Sequence, residues 1–272
     1  MAENGGRKRE TDRKSEVGHK SQADRKRENA RSFDRAASSY FDSAVHRDGD
    51  GDDLQTLADW CADADRALDV ATGAGHTAGA VADAGVSDVV AADIAPEMVT
   101  IATREYDLAG VVADAERLPF ADDAFDAVTC RIAAHHFPDP EAFVSEVARV
   151  LDPGGVFAFE DNVAPEDVDL AAFLDEIERI RDPAHVSLYP ESRWHEWFED
   201  AGLSVEESAA TKMRLEYDPW VDRTDVPADE RVELVRRFRN ASAEARDLYE
   251  IELDDDGVRA FSNLKVLIRA GA

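Results

Sequence analysis

Between residues 66 and 160 short apolar runs alternate with stretches of helical character, and this alternation restricts the chain more than any other feature. "RALDVA", "SDVVAAD", "AGVVAD", "DAFDAVTCR" and "GGVFAFED" read as strands, while "HTAGAVADAG", "APEMVTIATREY" and "DPEAFVSEVARVL" read as helices. Pro96 and Pro140 fall at first helical turns, where a missing N–H costs nothing, and Gly85 suits a left-handed cap. Strands joined through helices pair in parallel, because the chain must cross back to the same edge of the sheet. The expectation is an α/β, Rossmann-like, doubly wound sheet with helices on both faces.

Such a sheet binds ligands beyond the carboxyl ends of its strands, where strand order reverses. "DVATGAGHTAGA", residues 69–80, falls at that edge: the first strand turns into a helix across Gly73 and Gly75. Without Cβ atoms these glycines allow a tight turn and let a polar ligand lie against amides at a helix N-terminus. Asp93 ends the second strand 20 residues after Gly73, the separation at which an acid meets ribose hydroxyls. A carboxylate accepts two hydrogen bonds and a vicinal diol offers two donors. The ligand is therefore expected to carry a nucleoside.

Two ligand classes share this constellation, since "GAGHTA" also satisfies the dinucleotide pattern G-x-G-x-x-A. An NAD(P)-dependent oxidoreductase stays open on that ground. Three features favour adenosylmethionine: Asp69 four residues before Gly73, Asp114 at the end of the third strand, and "RVLDPGG" between a helix and the fifth strand.

In order and spacing, "LDVATGAGH", "AADIAPEMV", "ADAERLPFADDAFDAVTCRIAAHHF" and "EVARVLDPGG" resemble the class I S-adenosylmethionine-dependent methyltransferases, most closely the branch of ubiquinone and menaquinone biosynthesis C-methyltransferases. The resemblance covers residues 32–160 well and the remainder loosely. It implies a seven-stranded sheet whose last strand is antiparallel, a role that "LKVLIRA" suits. It also implies S-adenosyl-L-methionine as cofactor, with Asp69, Gly73 and Gly75 at the methionine end and Asp93 on the ribose. By the same resemblance Met98 packs on the adenine, Asp114 and Ala115 contact the base, and Arg131 lines the site. Many members carry glycine where Ala71 stands, so an extra methyl is expected to narrow the loop. A methyltransferase-like protein that binds adenosylmethionine without turnover is the non-enzymatic alternative.

His135 and His136 are the candidate bases, needed only for a protonated acceptor. "EDN", residues 160–162, has the composition of a metal site, but in so acidic a chain its carboxylates are expected to be solvated strand-end groups, with no metal held. Beyond Asp161 the chain reads as mostly helical, with "LSVEES" as a further strand. Residues 162–260 are expected to form a helical lid over the acceptor region of a 31–272 methyltransferase domain. Neither a Pro-Pro-aromatic nor a Pro-Cys motif follows the fourth strand, which favours a small-molecule or lipid-like acceptor over DNA.

Acidic residues outnumber basic ones 60 to 31, for a formal net charge of −29. Such a surface repels itself in dilute buffer and is screened in molar salt, where the Debye length is about 3 Å. The balance therefore points to a halophilic protein and away from nucleic-acid binding, which weakens as salt rises. Residues 1–30 carry both charges and few large apolar side chains, so a disordered tail is expected, followed from Ser32 by a helix with Phe33, Ala36, Ala37 and Tyr40 on one face. No run of about 18 apolar residues is present, and the N-terminus lacks an apolar signal core, so stable membrane insertion is not expected and the expected location is cytoplasmic. Oligomeric state is not legible.

Overall fold

The structure is a computed structural model that describes residues 21–42, 52–255 and 257–272. In chain order the elements are α1 (Gln22–Asp42), α2 (Asp53–Trp60), β1 (Arg66–Val70), α3 (His76–Asp83), β2 (Asp88–Asp93), α4 (Pro96–Tyr106), β3 (Ala109–Val112) and β4 (Phe125–Arg131). A 3-10 turn at Ala134–His136 leads to α5 (Pro140–Val150), β5 (Leu151–Asn162), α6 (Val168–Arg181), α7 (Glu191–Asp200), β6 (Ser204–Glu216) and α8 (Tyr217–Asp222). The chain closes with α9 (Ala228–Arg239), α10 (Ala243–Leu248), β7 (Glu252–Leu253) and β8 (Val258–Gly271).

Among the described residues the strands form one eight-stranded sheet in the order β3-β2-β1-β4-β5-β8-β6, with the two-residue β7 paired to β8. Pairs among β1 to β5 are parallel, whereas β8 runs antiparallel to both β5 and β6. The expected seven-stranded path with an antiparallel last strand is thus present, and β7 is the addition. Strand order reverses between β1 and β4, which opens a crevice at their carboxyl ends.

Helix α5 shows how local chemistry fixes an element. The Asp139 side chain caps it by accepting the Ala142 amide at 3.1 Å, and Pro140 supplies the preset first turn. Its buried face, Phe143, Val144, Val147 and Val150, packs with Phe157 and Phe159 of β5 in the main core. Burying one such aromatic or aliphatic side chain contributes about 1.5–3 kcal/mol.

Two expectations about element length are corrected. "LSVEES" and "LKVLIRA" are parts of strands 13 and 14 residues long. Register shows why: β5 ends at the pair Asn162↔Lys265, while β6 and β8 stay paired out to Glu216↔Ala260. The β6–β8 ribbon therefore overhangs the carboxyl edge, and β7 takes the place beside β8 that β5 has vacated. A second apolar cluster, including Leu174, Met213, Leu215, Trp220, Phe238 and Phe261, joins the helices of residues 162–260 to this overhang.

The N-terminal expectation is corrected for residues 21–30; residues 1–20 lie outside the described residues. Helix α1 begins at Gln22, ten residues before Ser32, because tertiary contacts anchor its first turns. Lys26 pairs with Asp114 and Glu116, and the Asn29 side chain donates to the carbonyls of His136 and Ala184 at 3.2 and 3.3 Å. Phe33 and Ala37 pack with Met98 and Ile101 as the helical face requires; the side chains of Ala36 and Tyr40 lie outside the described set.

Candidate active site

At the end of β1 the chain reverses into α3 through residues 71–75, and Ala71, Gly73 and Gly75 take φ values of 54, 54 and 92°. Glycine adopts this region freely, whereas the alanine Cβ costs roughly 1–2 kcal/mol there. The glycines serve different ends. A Cβ on Gly75 would lie 2.7 Å from Ala102 Cβ, so its bareness lets α3 pack on α4. Among the described residues other than its chain neighbours, no atom lies within 4 Å of a Cβ built on Gly73, and Gly73 lines a cavity at the carboxyl edge of the sheet.

Asp93 faces the same cavity and is 7% exposed. One carboxylate oxygen accepts the Gly73 amide at 2.9 Å and the other the Ala95 amide at 2.8 Å. About four lone-pair sites belong to a carboxylate, so two hydroxyl donors can still be taken. Burial raises its pKa to about 6, against the pull of those two amides. Met98, Asp114, Ala115 and Arg131 complete this half of the wall. Asp114 is gripped by Lys26, whose Nζ donates to its oxygens at 2.9 and 2.7 Å, and it also accepts the Glu116 amide at 3.1 Å.

Asp69 and Gly75 are not brought to the cavity wall. The Asp69 carboxylate is buried and accepts Thr72 Oγ1 and Thr129 Oγ1, each at 2.6 Å. It fastens the glycine loop to β4, and burial raises its pKa to about 6. Arg131 is fixed by Glu160, its Nε 3.0 Å from the carboxylate. Glu160 in turn meets the buried Lys265 at 3.3 Å, and Lys265 also pairs with Asp53 of α2. The expectation of solvated strand-end acids is overturned here: Glu160 and Asp161 are both 0% exposed, because their charges are matched inside the protein.

Asp161 is spent on His135. Its oxygens accept the His135 amide at 2.8 Å and Nδ1–H at 2.6 Å. A carboxylate only accepts, so Nδ1 carries the proton and Nε2 remains available. Burial opposes the charged imidazole, but Asp161 outweighs it and the His135 pKa is raised. His136 differs: Nδ1–H donates to the Ala184 carbonyl at 3.1 Å, and burial together with neighbouring His135 pushes its pKa down to about 3. Both line the cavity, but only His135 has the basicity to take a proton near neutrality.

The cavity continues past His135 to Asn162, Glu178, Met213, Leu215, Trp220 and Asn263. Of these, Glu178, Met213, Leu215 and Asn263, together with the α1 contributors Lys26 and Asn29, escape sequence reasoning, whereas Asn162 stands in "EDN" and Phe33 on the expected helical face. For α1 a signal exists, since residues 26, 29, 33 and 37 recur at helical spacing. For Asn263 none does, because its position depends on how far the ribbon overhangs. Ile132, also on the wall, holds a φ of 50°, a strained conformation for a β-branched residue of the kind that clusters at functional sites.

The strand order, with β8 antiparallel between β5 and β6, and the glycine loop at the switch point are those of a class I methyltransferase. Residues 68–159 match the family described as methyltransferase domain. The uncharacterized methyltransferase YcgJ of Bacillus subtilis is 36% identical over 245 residues, 88% of this chain and 96% of the relative. The crystal structure of the YcgJ protein from that organism aligns with a TM-score of 0.77 at 35% identity, covering 80% of this chain and 97% of its own. A demethylmenaquinone methyltransferase of Beutenbergia cavernae is 46% identical over 92 residues, 34% of this chain and 38% of its own length. Phosphoethanolamine N-methyltransferase 2 of Haemonchus contortus, solved with phosphomonomethylethanolamine and S-adenosylhomocysteine, shares the fold at a TM-score of 0.60 and 17% identity, covering 93% of this chain and 60% of that one. The chain belongs to the methyltransferase family and is an S-adenosylmethionine-dependent methyltransferase. The oxidoreductase and non-catalytic alternatives find no support in these comparisons. The residues fit the cofactor, because the space beside Gly73 is open and Asp93 retains acceptor capacity.

Proposed function

We propose that the chain transfers a methyl group to a small-molecule acceptor held between His135 and the β6–β8 overhang. One observation carries this reading: a single cavity runs from Gly73, Asp93 and Asp114, past His135, to Leu215, Trp220 and Asn263. The first group is suited to a nucleoside and the last to a second molecule with an apolar body. In this reading Gly73 cradles the methionine end, Asp93 accepts the ribose hydroxyls, Met98 packs on adenine, and Asp114 with Ala115 addresses its edge. Asp69 and Gly75 act from behind, by holding the loop and seating α3. Arg131, steadied by Glu160, lines the site between the two ligands.

When bound, the cofactor supplies an electrophilic methyl on a sulfonium sulfur. The protein's part is to align a nucleophile with it and to exclude water. Where the acceptor atom carries a proton, His135 Nε2 accepts it, and Asp161 stabilises the resulting imidazolium. The helices of residues 162–260 and α1 form the lid. The charge of −29 supports a working medium of high salt. Among the described residues no helix is long and apolar enough to cross a membrane.

The test is incubation with methyl-labelled S-adenosylmethionine and a fractionated metabolite extract in molar KCl. The account expects S-adenosylhomocysteine and a labelled small molecule. Label confined to nucleic acid or protein would overturn the small-molecule reading.

A further inference from the structure

Two residues of the cavity wall, Asn162 and Asn263, carry side-chain carbonyl oxygens that are buried without a donor among the described residues. Burying an acceptor unpaired is unfavourable, so a pair of them at one wall points to a ligand that supplies donors. Register places both on one face of the sheet. Asn162 pairs with Lys265 across β5 and β8, and Asn263 lies two residues further along β8. That is a diagonal relation, for which antiparallel geometry gives a separation of about 7–8 Å.

The orientation of Asn263 is fixed. Its Nδ2 donates to Glu178 Oε1 at 3.1 Å, and a carboxylate can only accept, so the amide oxygen is the end left unpaired. Glu178 is held by Arg181, whose guanidinium reaches Oε2 at 3.3 Å and lies 5.4 Å from the Trp220 ring centroid. Asn263 is itself 2% exposed. Met213, its cross-strand partner, joins Leu215 and Trp220 as an apolar wall beside these acceptors.

We infer that Asn162 and Asn263 select the methyl acceptor, which is a non-anionic molecule with an apolar body and hydroxyl or amine N–H donors. At these two oxygens an anionic group would meet acceptors beside Glu178, whose carboxylate already engages Arg181; Arg223 of the same wall is the competing seat for an anion. This rests on the reading that the cavity holds cofactor and acceptor together, and it adds the chemistry of the second ligand.

The experiment uses full-length protein in molar KCl, saturated with S-adenosylhomocysteine after calorimetry has shown that this nucleoside binds. Phenol, aniline, benzoate and toluene are then compared by ligand-observed NMR titration. Phenol and aniline are expected to bind more tightly than toluene and benzoate. Asn263→Leu and Asn162→Leu should each weaken phenol about tenfold, leave toluene unchanged and leave S-adenosylhomocysteine affinity unchanged. The inference is overturned if benzoate, seated on the cavity arginine Arg223, binds as well as phenol, if toluene matches phenol, or if the Leu variants weaken the nucleoside instead. The wild-type panel decides the matter even where a variant does not fold. Failure of S-adenosylhomocysteine to bind at all would strike the underlying reading, separately from this one.

Discussion

Asp93 Oδ2 accepts the backbone amide of Gly73 at 2.9 Å, so the acid at the end of β2 and the bare turn after β1 form one unit. Substitution at Gly73 therefore separates fold from binding. With a φ of 54° and open space around the Cβ position, Gly73→Ala should cost only about 1 kcal/mol of stability but fill the cradle and lower S-adenosylhomocysteine affinity tenfold or more. Gly75→Ala meets Ala102 instead and should cost about 2–4 kcal/mol. Urea denaturation and calorimetry on both variants check the contrast.

Ala71 occupies the left-handed region with a φ of 54°. Ala71→Gly should therefore stabilise the protein by about 0.5–1 kcal/mol, despite glycine's greater freedom in the unfolded chain. A higher urea midpoint at fixed salt is the expected outcome; a lower one would mean that the loop bears no strain.

Cofactor affinity should depend on pH through Asp93. Burial holds its pKa at about 6, and only the ionised form accepts ribose donors at both oxygens. Affinity should fall as pH drops below about 6, and this dependence should vanish in Asp93→Asn. The sign for stability is opposite. A carboxyl whose pKa is raised on folding favours the folded state when protonated, so Asp69 and Asp93 make the unliganded protein lose stability as pH rises from about 4 to about 6.

His135 is the base in this account, and Asp161 sets its tautomer. His135→Asn should lower turnover of a protic acceptor by a factor on the order of 100 or more, with cofactor affinity unchanged. Because Asp161 raises the His135 pKa, the wild-type rate should climb as pH rises beyond the ordinary imidazole range. His136→Asn should alter neither the pH profile nor its midpoint, since a group with a pKa of about 3 does not titrate there.

Salt should stabilise the chain. With a net charge of −29, raising KCl from about 0.1 M to 1 M shortens the Debye length from about 10 to about 3 Å and screens the surface repulsion. Thermal melting at a series of KCl concentrations should show a steady rise.

That Gly73 and Asp93 share one cavity wall is legible in the sequence because it depends on local chemistry: glycines at a strand end, and an acid at the end of the next strand. The same locality made β1 to β5 readable from alternation. The far end of the cavity is not, because Met213, Leu215 and Asn263 reach it only through the overhang of β6 and β8 beyond Asn162. That overhang depends on register between segments far apart in sequence, and "AATK" gives little strand signal of its own. The early start of helix α1 is hidden from the sequence for a related reason. Its first turns are polar, and they are ordered by Lys26 and Asn29 meeting Asp114, Glu116 and Ala184, partners no local pattern reveals. Asp69 is expected at the methionine end of the cofactor, and its turn toward Thr72 and Thr129 instead depends on a β4 partner that no local pattern reveals.

The most direct measurement is isothermal calorimetry of S-adenosylhomocysteine against the native full-length chain in molar KCl, with Asp93→Ala in parallel. The account predicts one-to-one binding to the wild type and a loss of at least tenfold in the folded variant. No heat with the native protein, or undiminished affinity without the Asp93 carboxylate, would contradict it.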